Sequence, residues 1–164
     1  MKKIFKLVAV LAALTVAGFG FVACSDDDDD GETVIYDLRK PISGDVVATY
    51  AGSQTEKVGI GEVVVTLTIT FYTAGNQTVF QGDQKVVAGN QAAYFTFCEG
   101  TYDGDPTTNG TVALTVTKDY EPNEAGTELI AETESYSVIA TILGTKATLT
   151  YGNSGAEIGE FTRQ

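Results

Sequence analysis

The residues of this 164-residue chain that could do chemistry are two cysteines and 22 carboxylates, because histidine is absent. Without an imidazole, neither a Ser–His–Asp nor a Cys–His catalytic site can be built, and the commonest zinc ligand is missing. Paired carboxylates can serve glycoside hydrolysis, but no pair stands in a recognisable motif. We therefore expect no enzymatic activity, no catalytic residue and no cofactor.

The aspartates of segment 26–30, followed by Asp37, match the ligand spacing of an EF-hand calcium loop. An EF-hand also needs a helix on each side of the loop. Segment 33–36 (TVIY) is instead rich in residues that favour strands, and a run of aspartates fits many such patterns by chance. We expect no metal site.

Cys24 stands at a sharp change in composition. Residues 1–6 carry three lysines, residues 7–23 form an apolar run interrupted only by Thr15, and an acidic block follows the cysteine. A positive start and a short apolar core are typical of an export signal, and the run is slightly short for a membrane-spanning helix. An ordinary secretory signal or an uncleaved anchor remain alternatives.

The segment Phe21-Val-Ala-Cys24 resembles the lipobox of bacterial envelope lipoproteins. The resemblance implies lipid transfer to the sulfur of Cys24, cleavage before it, and acylation of the new amino group with a fatty acid such as palmitate. Residues 1–23 would then be a signal peptide. Two or three acyl chains hold a protein firmly at a membrane, whereas one chain does so only marginally.

Residues 24–32 are expected to form a lipidated acidic tether. The block SDDDDDGE that follows Cys24 carries like charges, so it should stay extended and solvated. A serine and acidic run in this place resembles the export signals of Bacteroidetes-type or spirochaete-type envelope lipoproteins. This resemblance implies a lipid-anchored protein of the outer membrane, with the surface-exposed leaflet as one destination.

The charge of the chain excludes nucleic acid as a partner. Three of the ten basic residues lie in segment 1–23, which leaves the remainder with a formal charge of −15. Such a surface repels phosphate backbones, and no basic patch offsets it. The partners that remain are the membrane, reached through the lipid anchor, and a small apolar ligand or a surface protein or glycan.

Period-two alternation of apolar residues predicts an all-β domain over residues 33–164. The clearest case is 61–72, where Val63, Val65, Leu67, Ile69 and Phe71 share one face. Further strands are predicted at 45–51, 78–81, 85–87, 92–98, 111–117, 128–131, 135–142, 147–151 and 157–161. Turn residues lie between them, including a predicted turn at Gly82-Asp83 and a tight hairpin at 143–146.

Eight to ten short antiparallel strands indicate a barrel or a β-sandwich. Segments 100–115 and 136–151 resemble repeats of lipocalin-like (calycin-type) domains in small envelope lipoproteins. This resemblance implies an antiparallel up-and-down β-barrel, with the β-sandwich as the alternative.

Two functions fit such a domain. The first is a binding module whose interior holds a small apolar ligand, since an eight-stranded barrel is just wide enough for one. The second is a structural or surface-interaction lipoprotein with a filled core, whose loops near 103–109 and 120–127 meet a partner. An interior cavity of roughly 300 Å³ or more would favour the first. The candidate ligand-lining residues, which are otherwise core, are Val65, Leu67, Ile69, Phe95, Phe97, Leu114, Val138 and Leu149.

The second cysteine, Cys98, lies in the apolar strand at 92–98. A lipidated Cys24 has no thiol to offer for a disulfide, so Cys98 is expected to be a free and buried core residue.

Overall fold

The computed structural model describes residues 33–58, 61–133 and 135–164. The predicted signal peptide and tether, with Cys24, lie outside these ranges. Within them the chain forms ten β-strands and no helix. The strands are β1 (Thr33–Leu38), β2 (Asp45–Val58), β3 (Gly61–Ala74), β4 (Gln77–Ala88), β5 (Gln91–Asp103), β6 (Gly110–Pro122), β7 (Leu129–Glu132), β8 (Tyr136–Leu143), β9 (Lys146–Tyr151) and β10 (Glu157–Arg163).

Eight of these strands close into an antiparallel up-and-down barrel. Strands β2 to β6 pair in chain order, β6 pairs with β8, β8 with β9, β9 with β10, and β10 returns to β2. The predicted all-β barrel is confirmed. The alternative of a β-sandwich is wrong, because the eight strands form one continuous sheet that closes on itself, and not two stacked sheets.

Alternation along each strand explains why the sheet closes on itself. In β6, Val112, Leu114 and Val116 are no more than 2% exposed, while the residues between them face solvent. Successive side chains of a strand point to opposite faces, so every strand with this pattern presents one apolar face. Closing the sheet puts all these faces inside and leaves no long sheet edge in the barrel wall.

The two remaining strands lie beside β5 and β6 at one end of the barrel. Strand β1 pairs in parallel with residues 91–95 of β5. The later residues of β5, 98–103, pair with β6. Strand β7 pairs with the opposite edge of β6, since Asp119 faces Cys98 of β5 on one side and Glu132 of β7 on the other. Strand β1 therefore lies at the seam, the place where β5 and β6 no longer pair with each other. Strand β7 pairs with the last residues of the same edge of β6 whose first residues pair with β8.

The predicted turn at Gly82-Asp83 is wrong. Strand β4 runs without interruption from Gln77 to Ala88, and the pairing with β5 shifts register at this point. A Cβ atom on Gly82 would lie 2.6 Å from the ring of Phe97 and 2.7 Å from the sulfur of Cys98. The glycine therefore serves close packing inside a strand instead of a turn.

Strand β2 is longer than the sequence pattern predicts. The predicted strand ended at Ala51, whereas the observed one ends at Val58. Residues 52–58 are mostly polar and do not alternate, yet they pair residue by residue with β3 up to Val58 and Gly61. The apolar face of β3 sets the register of this strand pair. Residues 52–58 are extended because they pair with β3, and not because of their own pattern.

The core consists of two apolar clusters. The larger one fills the barrel and includes Tyr50, Phe71 and Tyr102, whose rings meet edge to face at centroid distances of 6.1 and 5.1 Å. The smaller cluster of Val63, Val65, Val86 and Phe95 lies at the β1 end of the barrel.

Candidate functional site

Six of the eight candidate ligand-lining residues surround one small internal cavity of about 30 Å³. The six come from five different strands, so closure of the barrel is what brings them together. They are Leu67, Ile69, Phe97, Leu114, Val138 and Leu149.

The other two candidates, Val65 and Phe95, lie in the smaller apolar cluster instead. A bulge in β5 separates Phe95 from the cavity, because Cys98 pairs with Gly82 and Thr96 with Asp83, which leaves Phe97 as the extra residue. The bulge allows Phe97 and Cys98, which are neighbours in sequence, both to line the cavity.

The other six residues that line the cavity are not among the candidates predicted from the sequence. Two of them, Tyr136 and Val116, stand two residues from the candidates Val138 and Leu114 in the same predicted strands, so alternation could have found them. The set comprises Phe80, Cys98, Val116, Tyr136, Ile158 and Phe161.

The cavity is too small for an organic ligand. Its volume of about 30 Å³ would hold one or two water molecules, whereas sites for small molecules measure roughly 300–1,000 Å³. Its walls are aliphatic and aromatic apart from the Cys98 sulfur and the Tyr136 hydroxyl, and apolar cavities of this kind stay dry.

The barrel end opposite β1 is plugged by the loop between β5 and β6. The hydroxyl of Tyr50, which is fully buried, donates a hydrogen bond of 2.7 Å to the carbonyl oxygen of Pro106. The guanidinium of Arg163 donates to the carbonyl oxygen of Thr107 at 3.1 Å. These contacts hold the loop beside the aromatic core.

Cys98 is the one free cysteine in the described part of the chain, and it is buried, as expected. Burial raises the pKa of its thiol well above the ordinary value, and the carboxylates of Asp119 and Asp83 raise it further. The thiolate is the reactive form of cysteine. Cys98 is therefore a packing residue of the interior and is not suited to nucleophilic chemistry.

Gln84 places a side-chain amide in the interior, and the nitrogen of this amide makes no hydrogen bond. It stands in β4 between Leu67 of β3 and Phe95 of β5, which both face inward. The side chain is 2% exposed, and its Nε2 atom has no hydrogen-bond partner. A buried donor without a partner costs free energy, about 1–3 kcal/mol in mutational series.

A polar network on the outside of the barrel attaches the segment that follows β1. The backbone N–H of Lys40 donates to Thr96 Oγ1 at 2.8 Å, and Thr96 donates to Asp83 at 2.7 Å. Gln81 donates to both the Lys40 carbonyl and Asp83. Partial burial raises the pKa of Asp83, although the hydrogen bonds from Thr96 and Gln81 act against this.

Glu99 joins this segment to β6. Its carboxylate meets Lys40 at 2.7 Å and Lys118 at 2.8 Å, and Lys40 also contacts the Tyr120 hydroxyl at 2.5 Å. Partial burial acts to raise the pKa of Glu99, but the hydrogen bonds from Lys118 and Lys40 outweigh it and lower the value to about 2. Through Glu99, the two lysines therefore connect the segment after β1, strand β5 and strand β6 on the outside of the barrel.

In residues 33–58, 61–133 and 135–164, no three His, Cys, Asp or Glu side chains are grouped so that they could hold a metal ion. Asp37, which the calcium-loop spacing included, lies in β1 and pairs with Arg39. The same part of the chain has no helix that is long and apolar enough to span a membrane.

The fold defines this molecule as a small closed β-barrel protein with a densely filled interior. No protein-family model, curated protein or solved structure matches the chain.

Proposed function

We propose that this protein is a cell-envelope lipoprotein whose filled β-barrel presents its outer surface to a partner protein or glycan. The observation that carries the proposal is the internal volume. A barrel interior with about 30 Å³ of free space is occupied by its own side chains. Recognition then falls to the outside of the barrel and its loops.

The anchor in this proposal is Cys24. The apolar run before it, the small residue Ala23 at the cleavage point and the acidic tether after it support lipidation. The outer membrane, with the tether directed to the cell surface, is the proposed location. The formal charge of −15 after residue 23 would keep the domain in solution and away from anionic head groups.

Metabolic labelling with palmitate tests the anchor. The full chain should incorporate label and fractionate with membranes, and Cys24→Ala should lose both properties. Cys98→Ala is the matched control, since Cys98 is free and buried inside the domain, and it should keep both properties. Equal labelling of the Cys24→Ala variant, or none in the unaltered chain, would refute lipidation of Cys24.

A second candidate function, the binding of a small apolar ligand, rests on the position of the cavity. Its wall includes Leu67, Phe97, Tyr136 and Ile158, which are only partly buried. Movement of these side chains could enlarge the cavity toward solvent. Native mass spectrometry of protein purified from its own membrane decides between the two functions: a mass equal to that of the lipidated chain supports the filled barrel, and a bound small molecule supports the ligand binder.

A further inference from the structure

An open groove lies on the outer face of the barrel, where the segment after β1 meets β4. Its volume of about 530 Å³ falls within the range of sites for small molecules, roughly 300–1,000 Å³. It shares no lining residue with the internal cavity, so the outside of the barrel offers the room that the interior lacks. The described residues that line the groove are Asp37, Arg39, Lys40, Pro41, Ile42, Gln81 and Asp83.

The guanidinium of Arg39 has a fixed position in this groove. Its Nε and Nη2 atoms donate to the Asp37 carboxylate at 2.9 and 2.5 Å, and its central carbon lies 4.5 Å from the centre of the Tyr94 ring. Arg39 is nevertheless 47% exposed and Asp37 40%. The hydrogen bond from Arg39 lowers the pKa of Asp37, so this carboxylate stays charged. The pair therefore presents hydrogen-bond donors and acceptors side by side.

Asp83 supplies a second carboxylate, which buried neighbours hold. Thr96 Oγ1 donates to it at 2.7 Å and Gln81 Nε2 at 3.1 Å, and the same nitrogen of Gln81 donates to the Lys40 carbonyl oxygen at 2.8 Å. Thr96 and Gln81 are 0% and 3% exposed. Because these contacts already order the carboxylate, a ligand that binds to it loses little free energy in ordering the site.

The charges of the groove balance. Among the described lining residues, the carboxylates of Asp37 and Asp83 stand against the cations of Arg39 and Lys40. The ammonium group of Lys40 also meets Glu99 at 2.7 Å. A ligand with a net charge of either sign would meet repulsion as well as attraction. The groove therefore suits a polar ligand without a net charge.

An apolar part of the wall narrows the ligand chemistry further. Pro41 is exposed and Ile42 is half-buried, and both line the groove. A hydroxyl group both donates and accepts hydrogen bonds, so an uncharged polyhydroxylated molecule can bond to guanidinium and carboxylates at once. A sugar ring combines such hydroxyls with an apolar face of C–H groups. Its chemistry matches both parts of the groove.

The size of the groove favours a glycan over a protein as its occupant. A stable protein interface uses roughly 20–30 residues on each side, whereas seven described residues line this groove. A site of this size covers one or two sugar rings, which can belong to a longer chain.

We propose that this groove binds a neutral saccharide unit of a glycan. The carboxylates of Asp37 and Asp83 accept hydrogen bonds from its hydroxyls, Arg39 donates to their oxygens, and Pro41 and Ile42 pack against the ring. The inference names the glycan and its site within the proposed surface-interaction function, and it rests on that function.

The test applies the full-length lipidated protein, in a polyoxyethylene detergent that carries no sugar, to an array. The array holds neutral oligosaccharides, acidic oligosaccharides and unglycosylated peptides. We expect binding to members of the neutral set alone. The neutral oligosaccharide that binds best is then titrated by isothermal titration calorimetry.

Two pairs of variants separate the groove from the rest of the surface. D37N and R39Q should each weaken binding of that oligosaccharide about tenfold or more, as expected for a lost hydrogen bond to a charged group. D103N and K146Q make the same kinds of change at exposed positions outside the groove, and should change affinity by less than about twofold. Circular dichroism checks that all four variants fold.

An array without binding to neutral oligosaccharides, binding to the acidic set or to the peptides instead, or equal weakening in both pairs of variants would overturn the groove proposal. These results would leave the palmitate labelling and the native mass unaffected, so failure of the saccharide site can be distinguished from failure of the proposed function.

Discussion

Two glutamines of β4 that are close in sequence show how much the partners of a buried polar side chain matter. Gln81 and Gln84 are 3% and 2% exposed. Gln81 donates to the Lys40 carbonyl at 2.8 Å, whereas Nε2 of Gln84 has no partner. The two lie on opposite faces of β4, and the sequence does not show which of them finds a partner, because Gln81 bonds to a segment 41 residues away in the chain.

Replacing Gln84 with methionine should stabilise the protein. Methionine has nearly the same length and fits an apolar site without a donor, so we expect the free energy of unfolding to rise by about 1 kcal/mol. Gln81→Met is the control and should lower it by about 1–2 kcal/mol, since its hydrogen bonds are lost. Urea denaturation measures both, and a loss of stability in Gln84→Met would contradict the assignment of an unpaired amide.

The depressed pKa of Glu99 predicts a pH-dependent contribution to stability. A carboxylate whose pKa is lower in the folded state stabilises the fold above its unfolded value, and this contribution is lost as the pH falls through the folded value. For Glu99 the window runs from about 4.5 down to about 2.

We therefore expect Glu99→Gln to lower the free energy of unfolding by about 1 kcal/mol at pH 7, discounted for the solvent exposure of the three side chains. The difference from the unaltered protein should shrink progressively below pH 4.5. Denaturation curves at pH 7, 4 and 3 provide the measurement, and a constant difference at all three would show that the charge of Glu99 is not its cause.

At the scale of elements, the pairing of β5 with β6 depends on a glycine. A Cβ atom on Gly100 would overlap the carbonyl oxygen of Thr115 in β6 and would lie 2.9 Å from the ring of Phe80. The register of this strand pair also shifts between Glu99 and Gly100. Only a residue without a side chain lets the two backbones approach this closely.

Gly100→Ala should therefore destabilise the protein by about 2 kcal/mol or more, because backbone atoms cannot move aside as a flexible side chain can. Gly61→Ala is the control, since nothing lies within 4 Å of the corresponding Cβ position. Thermal unfolding followed by circular dichroism compares the two. A Gly100→Ala protein that melts with the control would mean that β5 and β6 are less tightly apposed than the structure has them.

Alternation of apolar residues predicted the position of most strands, but it did not predict the full length of β2 and β4. Strands β3, β6 and β9 follow their apolar faces closely, whereas β4 passes through a glycine and an aspartate that locally favour a turn. Local turn preferences are small, and ladder hydrogen bonds on both sides of β4 outweigh them. The same neighbour effect extends β2 to Val58.

At the scale of the whole molecule, closure depends on a short strand pair. Strands β10 and β2 pair through Thr162 with Ala51 and Arg163 with Tyr50, and the Gln164 N–H donates to the Thr49 carbonyl. This pairing joins the last strand of the sheet to the first one of the barrel and removes two exposed edges.

Thr162→Pro should open the barrel, since proline has no N–H and cannot donate to a sheet ladder. We expect a loss of about 3 kcal/mol or more and a concentration-dependent tendency to associate through the freed edges. Thr162→Val keeps the backbone donor and should behave like the unaltered protein. Denaturation and light scattering test this, and a monomeric Thr162→Pro protein of undiminished stability would show that closure does not depend on this pair.

The amino-acid sequence by itself determined that the domain is all-β, because period-two alternation is a local property of each strand, and it predicted six residues that meet around one cavity. Only the tertiary structure decided that the sheet closes, that β5 bulges at Phe97, and that the cavity measures about 30 Å³. Internal volume is the small difference between the space that the barrel encloses and the side chains that enter it from all eight strands. Strand-by-strand patterns do not contain that difference, since it depends on every register at once.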